Sequence, residues 1–273
     1  MTKYLNLRRI AARVRLQIRQ WRAAFDAYAQ KCVTSGFIPY TFWPVQLLAR
    51  FLANLIVFIQ LGRLRIIGAE NLRLPGRFIF CPNHSSMFDA VIMYAIMRRN
   101  DGPRYMTALE EMRGLWGLKA IAMGAMGCFP VDRSKGKSVI EPAINMVVNG
   151  GSLVIFPEGK ISPTGECLPF KMGPAIIGLT AMERLGGLGG TERVAIVPIN
   201  LHYHKRDVAT ATKFFTECGL KWRGGVTVTV GEPIYLNDLN TTHPEDVMAV
   251  AHRFVCRAQA RANAMGCPCD GNR

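Results

Sequence analysis

The chain has 273 residues, enough for one large α/β domain or two small ones with a sizeable core. Hydrophobic residues make up 49%, within the ~45–50% of globular chains, which excludes intrinsic disorder and collagen-like repeats. Lys and Arg number 34 against 19 Asp and Glu, and a formal charge of +15 points to an anionic partner. Cysteines occur at 32, 81, 128, 167, 218, 256, 267 and 269, with no CxxC pair and no secretory h-region. That pattern favours free thiols in a reducing compartment over a disulfide framework or a zinc site.

The surplus charge is concentrated at the start. Residues 1–31 carry Lys3, Arg8, Arg9, Arg13, Arg15, Arg19, Arg22 and Lys31 against one acid, Asp26. Ile10, Val14, Ile18, Trp21, Phe25 and Tyr28 step by three or four between them, which predicts an amphipathic helix with an apolar stripe on a basic surface. Such a helix suits an anionic membrane surface, at about 1 kcal/mol per cation near the lipid. Packing on the domain as a solvated helix, or contact with nucleic acid, is open from these residues alone.

Next comes the most apolar stretch of the chain, Phe37 to Leu61. A helix from Pro44 to Leu61 would be roughly 27 Å long, marginal against a hydrocarbon core of about 30 Å. Gln46, Arg50 and Asn54 draw a narrow polar stripe down it, and basic residues flank both ends. We expect it to lie in or dip into the membrane interface. Residues 1–62 thus form the predicted membrane-associating segment, 63–265 the catalytic domain, and 266–273 a disordered tail in which Cys267 and Cys269 lack a partner motif.

Beyond residue 62, short apolar runs alternate with helical patterns. Strands are predicted over Arg77–Cys81, Arg104–Ala108, Cys128–Val131, Leu153–Phe156, Val194–Leu201 and Val226–Val230. Helices are predicted over Asp89–Met97, Glu111–Met123, Lys137–Val148, Pro174–Leu185 and Pro244–Ala264. The alternation implies an α/β fold, a mostly parallel sheet covered by helices on both faces.

Chemistry is expected where these strands end. After Phe80-Cys81-Pro82-Asn83, His84 is followed by Asp89 five residues on. On one continuous helix the two side chains would point about 140° apart. They meet only if His84 lies in the loop and Asp89 on the next helix, with Ser85 or Ser86 near the N-cap. That arrangement is a dyad in which Asp89 holds one imidazole nitrogen and the other takes a proton; a capping His beside a helix-start Asp is the plainer alternative. In the second block, Leu153-Val154-Ile155-Phe156-Pro157-Glu158-Gly159-Lys160, a strand delivers a carboxylate into a Gly turn, and Phe170-Lys171-Met172-Gly173 opens another helix. Third, Gly127-Cys128-Phe129-Pro130-Val131-Asp132-Arg133 leads into Ser134-Lys135-Gly136-Lys137, cations that fit either a phosphate cradle or a solvated loop.

In this order and spacing the three blocks resemble the PlsC-type glycerolipid acyltransferase family: NHxxxxD, G-x-x-P-V-D-R and FPEG. Ala195-Ile196-Val197-Pro198-Ile199 resembles its fourth block, and Val230-Gly231-Glu232-Pro233-Ile234 the strand-turn that follows. The resemblance covers about residues 65–235. It implies that His84 deprotonates an acceptor hydroxyl, Asp89 orients it, and Arg133 holds the acceptor phosphate. Glu158 and Gly159 would complete the acceptor pocket, Lys171 would be a second phosphate contact, and backbone N–H groups near Gly159 would be candidates for oxyanion stabilisation. The implied reaction is a membrane-associated O-acyl transfer from acyl-CoA or acyl-carrier protein to 1-acyl-glycerol-3-phosphate, on the cytoplasmic membrane face, with no metal or other cofactor. Another acceptor (glycerol-3-phosphate or a lyso-amino-acid lipid) and a non-catalytic basic membrane binder on the same fold are the alternatives.

Two departures bear on the acceptor. Many family members carry Thr-Arg after FPEG where this chain has Lys160-Ile161, and many carry a Lys before the Glu that follows the second strand, where this chain reads Ala108-Leu109-Glu110-Glu111. Other signals lead elsewhere and are weak. Gly186–Gly190 precedes a strand and lacks GK[ST], so no nucleotide loop is expected. His202 and His204 share a strand face without a third ligand and are expected as surface histidines. No G-x-S-x-G elbow is present, and no nucleic-acid recognition motif.

Overall fold

The computed structural model describes residues 14–21, 23–24, 27, 43–86, 88–97, 104–108, 123–124, 126–131, 140–204, 225–239 and 243–264. Most of the predicted Glu111–Met123 helix, Arg133 with its loop, and the tail from 266 lie outside these residues.

Residues 14–21 are helical, as their spacing predicts, with Val14 and Trp21 exposed. Helix α1 (Trp43–Ile56) runs on as a π-helical turn, Val57–Leu61. Gly62 then ends it at φ +75°, a left-handed conformation that glycine adopts without a Cβ penalty. The polar stripe of α1 turns inward. Arg50 donates to the Met97 carbonyl at 3.0 Å, and the Tyr94 hydroxyl donates to the Gln46 carbonyl at 3.3 Å. Asn54 bonds back to Arg50 at 2.8 Å. Ala53, Val57 and Leu61 are buried beside them, whereas Leu47, Leu48, Phe51, Leu52, Leu55, Phe58 and Ile59 are exposed. Among the described residues no helix is long and apolar enough to cross a membrane.

Strand β1 (Leu64–Ile67) is followed by β2 (Arg77–Pro82), helix α2 (Phe88–Ile96), β3 (Arg104–Ala108) and β4 (Cys128–Val131). Then come α3 (Glu141–Val148), β5 (Leu153–Val154), α4 (Gly173–Arg184), β6 (Val194–Tyr203), β7 (Val226–Val230), β8 (Ile234–Tyr235) and α5 (Pro244–Ala264). Pro142 and Pro174 sit in the first turns of α3 and α4, where a missing N–H costs nothing. The sheet order is β1-β7-β6-β2-β5-β3-β4, with β8 paired to β6. From β6 to β4 every pairing is parallel; β7 and β8 meet β6 antiparallel, so the sheet is mixed but mostly parallel.

Side-chain alternation divides the core into two layers. Phe78, Phe80, Val197, Ile199 and Leu201 pack on one face with residues of α1 and α2. On the other, Ile79, Cys81, Val194 and Ile196 pack with α3, α4 and α5. A sheet buried on both sides explains why its central strands read as unbroken apolar runs. Three expectations are corrected. Of the predicted Leu153–Phe156 strand, β5 keeps Leu153 and Val154, and the Ile155 N–H still donates to the Phe80 carbonyl at 2.9 Å before the chain enters the Pro157 turn. β1 and β8 escape the sequence reading, since both are short and half-buried. His202 is buried, and His204 is partly so with its Nε2 2.7 Å from Thr227 Oγ1, because β6 extends through Tyr203 against β7.

Candidate active site

Parallel strands in one sheet deliver their C-terminal ends to the same edge, where open α/β sheets place their ligands. That geometry puts the residues following β2 and β5, which are neighbours, side by side. At the end of β2, Asn83 extends the ladder with both backbone and side chain. Its backbone N–H donates to the Ile199 carbonyl at 3.2 Å, and its Oδ1 accepts from the Leu201 N–H at 2.6 Å. Its Nδ2 donates back to the Leu201 carbonyl at 3.3 Å. Pinned in this way to β6, the chain leaves the sheet at His84.

Asp89, in the first turn of α2, has a relative exposure of 0%. Burying a carboxylate is costly unless its lone pairs are taken up, and here they are. Oδ2 accepts the backbone N–H groups of Ser85 (2.6 Å) and Ser86 (2.7 Å) and the imidazole Nδ1 of His84 (3.0 Å). Oδ1 accepts the Tyr203 hydroxyl at 2.5 Å. The Ser86 hydroxyl accepts the Phe88 N–H at 3.3 Å, so the helix start is held as the sequence predicts. Burial and the Asp89 charge both raise the Tyr203 hydroxyl well above the usual phenol range, keeping it a donor.

His84 is held from three further sides. Its ring stacks on Phe156, centroids 4.3 Å apart and planes 27° from parallel. Its carbonyl accepts the Ser162 N–H at 2.7 Å, and its own N–H donates to Glu158 Oε1 at 3.2 Å. With Nδ1 occupied by Asp89, Nε2 is the ring nitrogen left to a substrate, and the side chain is 19% exposed. A fixed, partly exposed imidazole with a buried carboxylate behind it can accept a proton and stabilise the resulting charge.

Glu158 is buried, and Oε2 has no hydrogen-bond partner. Burial raises its carboxyl from the usual range to about 7, against backbone N–H donors at His84 and Leu168 that lower it. Gly159 stands at φ +71°, and a Cβ there would lie 2.8 Å from the Lys171 Nζ, so the Lys171 chain folds over a position open only to glycine. Lys171 is tied down by its own N–H, which donates to the Pro157 carbonyl at 2.9 Å. The structure therefore brings His84, Asp89, Glu158, Gly159 and Lys171 together. The Gly159 N–H is already engaged with the Phe156 carbonyl at 3.1 Å, which removes it as an oxyanion donor. Sequence reasoning quoted Asn83 and Phe156 within the blocks without giving them a role, and missed Tyr203. Tyr203 sits between the two histidines singled out on β6, and the signal that could have found it is a phenol at the C-terminal end of a wholly buried strand.

A sequence profile of the family described as acyltransferase matches residues 63–202. A chloroplastic 1-acyl-sn-glycerol-3-phosphate acyltransferase of Brassica napus is 27% identical over 176 residues, 62% of this chain and 44% of that protein. The 1-acyl-sn-glycerol-3-phosphate acyltransferase alpha of Ovis aries is 24% identical over 196 residues, 70% of this chain and 60% of that protein. The chain thus spans about half the length of the curated relatives it matches. Among solved structures, the 1-acyl-sn-glycerophosphate (LPA) acyltransferase PlsC of Thermotoga maritima superposes with a TM-score of 0.61 at 16% identity, covering 92% of this chain and 98% of that one. At that identity the likeness is one of fold.

Proposed function

The chain belongs to the acyltransferase family, of PlsC type, and from that premise we propose that it transfers a fatty acyl group from a thioester, acyl-CoA or acyl-carrier protein, to the free hydroxyl of 1-acyl-glycerol-3-phosphate. The observation that carries the reading is the His84 Nδ1 contact with Asp89 at 3.0 Å, the carboxylate wholly buried and the His84 side chain 19% exposed. In the proposed step Nε2 takes the acceptor hydroxyl proton as the oxygen attacks the thioester carbon. The tetrahedral intermediate then collapses, the C–S bond breaks, and the leaving thiolate takes the proton from His84. Asp89 fixes the tautomer and balances the imidazolium. Arg133 and Lys171 hold the acceptor phosphate, which suits guanidinium and ammonium donors. Glu158 and Gly159 frame the acceptor pocket, the former by holding the His84 backbone.

The reaction takes place at a membrane surface. Helix α1 supports this, since it packs its polar stripe inward and leaves its large apolar side chains outward, Phe51 64% and Phe58 72% exposed. So large an apolar face fits an apolar partner, and the +15 charge favours an anionic leaflet, which supports docking on the cytoplasmic face. The test is thiol release from oleoyl-CoA with and without lysophosphatidate. Release that requires acceptor and vanishes in His84→Ala, with an unchanged circular dichroism spectrum, is expected. Acceptor-independent release would make the protein a thioesterase. Activity in a folded His84→Ala variant would remove the dyad from the chemistry.

A further inference from the structure

Beyond the dyad, one cluster of donor side chains is used by nothing described above. Cys167 lies in the loop between Glu158 and α4. His252 and Cys256 lie four apart on α5 and so share one face of that helix. Their donor atoms all come within 4.8 Å of one another, and Cys256 Sγ is 3.5 Å from His252 Nε2. We propose that Cys167, His252 and Cys256 form a binding site for a thiophilic divalent cation of the zinc type, which ties α5 to the loop beyond the His84 block.

Bond lengths of about 2.3 Å to sulfur and 2.0 Å to nitrogen place neighbouring donors of a tetrahedral zinc roughly 3.5–3.8 Å apart. The Cys256–His252 separation is already that of a tetrahedral edge, and the third donor closes the triangle within reach. Two thiolates and an imidazole are the ligand set that soft and borderline cations select over Mg²⁺ or Ca²⁺. The His252 ring packs edge-on against Phe170, with centroids 5.0 Å apart, so its orientation is set before any ion arrives. An entry path exists as well: a cleft of about 660 Å³ is lined by Cys167 and Cys256 together with Ser85, Glu166 and Tyr203, giving a fourth ligand position to water.

The position gives the ion a structural consequence. The loop that supplies Cys167 also supplies Ser162, whose N–H holds the His84 carbonyl, and Lys171, which folds over Gly159. A cation bridging that loop to α5 would replace the Cys167–Cys256 side-chain hydrogen bond with stronger metal–ligand bonds and so fix the far side of the site. The sequence hides this set because Cys167 is distant in the chain from the His252–Cys256 pair and no CxxC marks it.

The experiment is metal analysis of full-length protein, incubated with zinc under reducing conditions and desalted. We expect about one zinc per chain. Replacement by Co²⁺ should give the absorption bands of a tetrahedral thiolate site, with the thiolate band roughly halved in Cys256→Ser. Cys267→Ser/Cys269→Ser should keep both the zinc and the bands, and a chelator should lower the Tm of wild type but not of Cys167→Ser/Cys256→Ser. Zinc far below one equivalent in wild type would overturn the proposal without reference to any variant's folding. So would metal that survives Cys167→Ser/Cys256→Ser, or a Cys167–Cys256 disulfide in protein alkylated straight from cells.

Discussion

Helix α1 and the loop after β2 break the ordinary burial rule in opposite directions. After β2, in the first turn of α2, a carboxylate lies wholly inside the protein with four donors on its two oxygens. Along α1 a row of large apolar side chains lies wholly outside, while Arg50 and Asn54 face in. The first exception is closed within the chain, because unpaired buried charge is costly. The second is left open among the described residues, which suits an apolar partner. On the proposed reading, buried polarity holds the chemistry in this molecule, and exposed apolarity is the face that meets the membrane.

If that distinction holds, the two regions respond to different substitutions. Asp89→Asn should have the largest effect, because an amide nitrogen must then face one of the N–H or O–H donors that now converge on the carboxylate. We expect thiol release to fall by about 10³-fold, mostly in kcat, through loss of the His84 tautomer and of imidazolium stabilisation. Vesicle binding should be unchanged. A fall in KM-dependent terms alone would break the comparison, since the buried group would then serve binding. Phe51→Glu/Phe58→Glu should do the reverse. Burying a Phe side chain is worth about 1.5–3 kcal/mol, so the pair should weaken partitioning to anionic vesicles by roughly 100-fold or more. Because both side chains point away from the core, Tm should stay within about 1 °C. Co-sedimentation at the wild-type level would mean that another surface docks the protein.

How much of this was legible in the sequence follows from how local each signal is. The α5 boundaries, Pro244 and Ala264, agree with the expectation to the residue, because a long helix carries several periods of its own pattern. β2 and β4 came from compact apolar runs of the kind that a doubly covered sheet demands, β7 from a Val-Thr alternation, and β3 from a short run around Tyr105 and Met106. The His84–Asp89 contact was legible too, since turn and helix start are encoded within six residues. Tyr203 and Phe156 were not: each reaches the site through a pairing or a stack that only the assembled sheet creates, β6 beside β2 and β5 beside β2. The inward polar stripe of α1 was visible as a stripe, but its direction was set by Tyr94 and Met97 on the far side of α2, which no periodicity in α1 reports.

Glu158 sharpens the comparison at its finest grain, as a buried carboxyl with one oxygen satisfied and one without a partner. Burial lifts it to about 7, above its ordinary range near 4.5. A carboxyl raised on folding binds its proton more tightly in the native state than in the unfolded one, so the native state holds more protons between those two values. The stability it permits is present in full below about pH 4.5 and is lost as pH rises toward and through about 7. Glu158→Gln keeps an acceptor for the His84 N–H and removes the titration. Its stability relative to wild type should therefore climb between about pH 4.5 and 7 and level off above, read by denaturant unfolding across that range. Activity at low pH, where wild type is protonated and resembles the amide, should change only a few-fold. A flat difference curve would mean that folding leaves the Glu158 carboxyl at its ordinary value. A curve of the opposite slope would mean that a cation reaches Oε2 in the native protein.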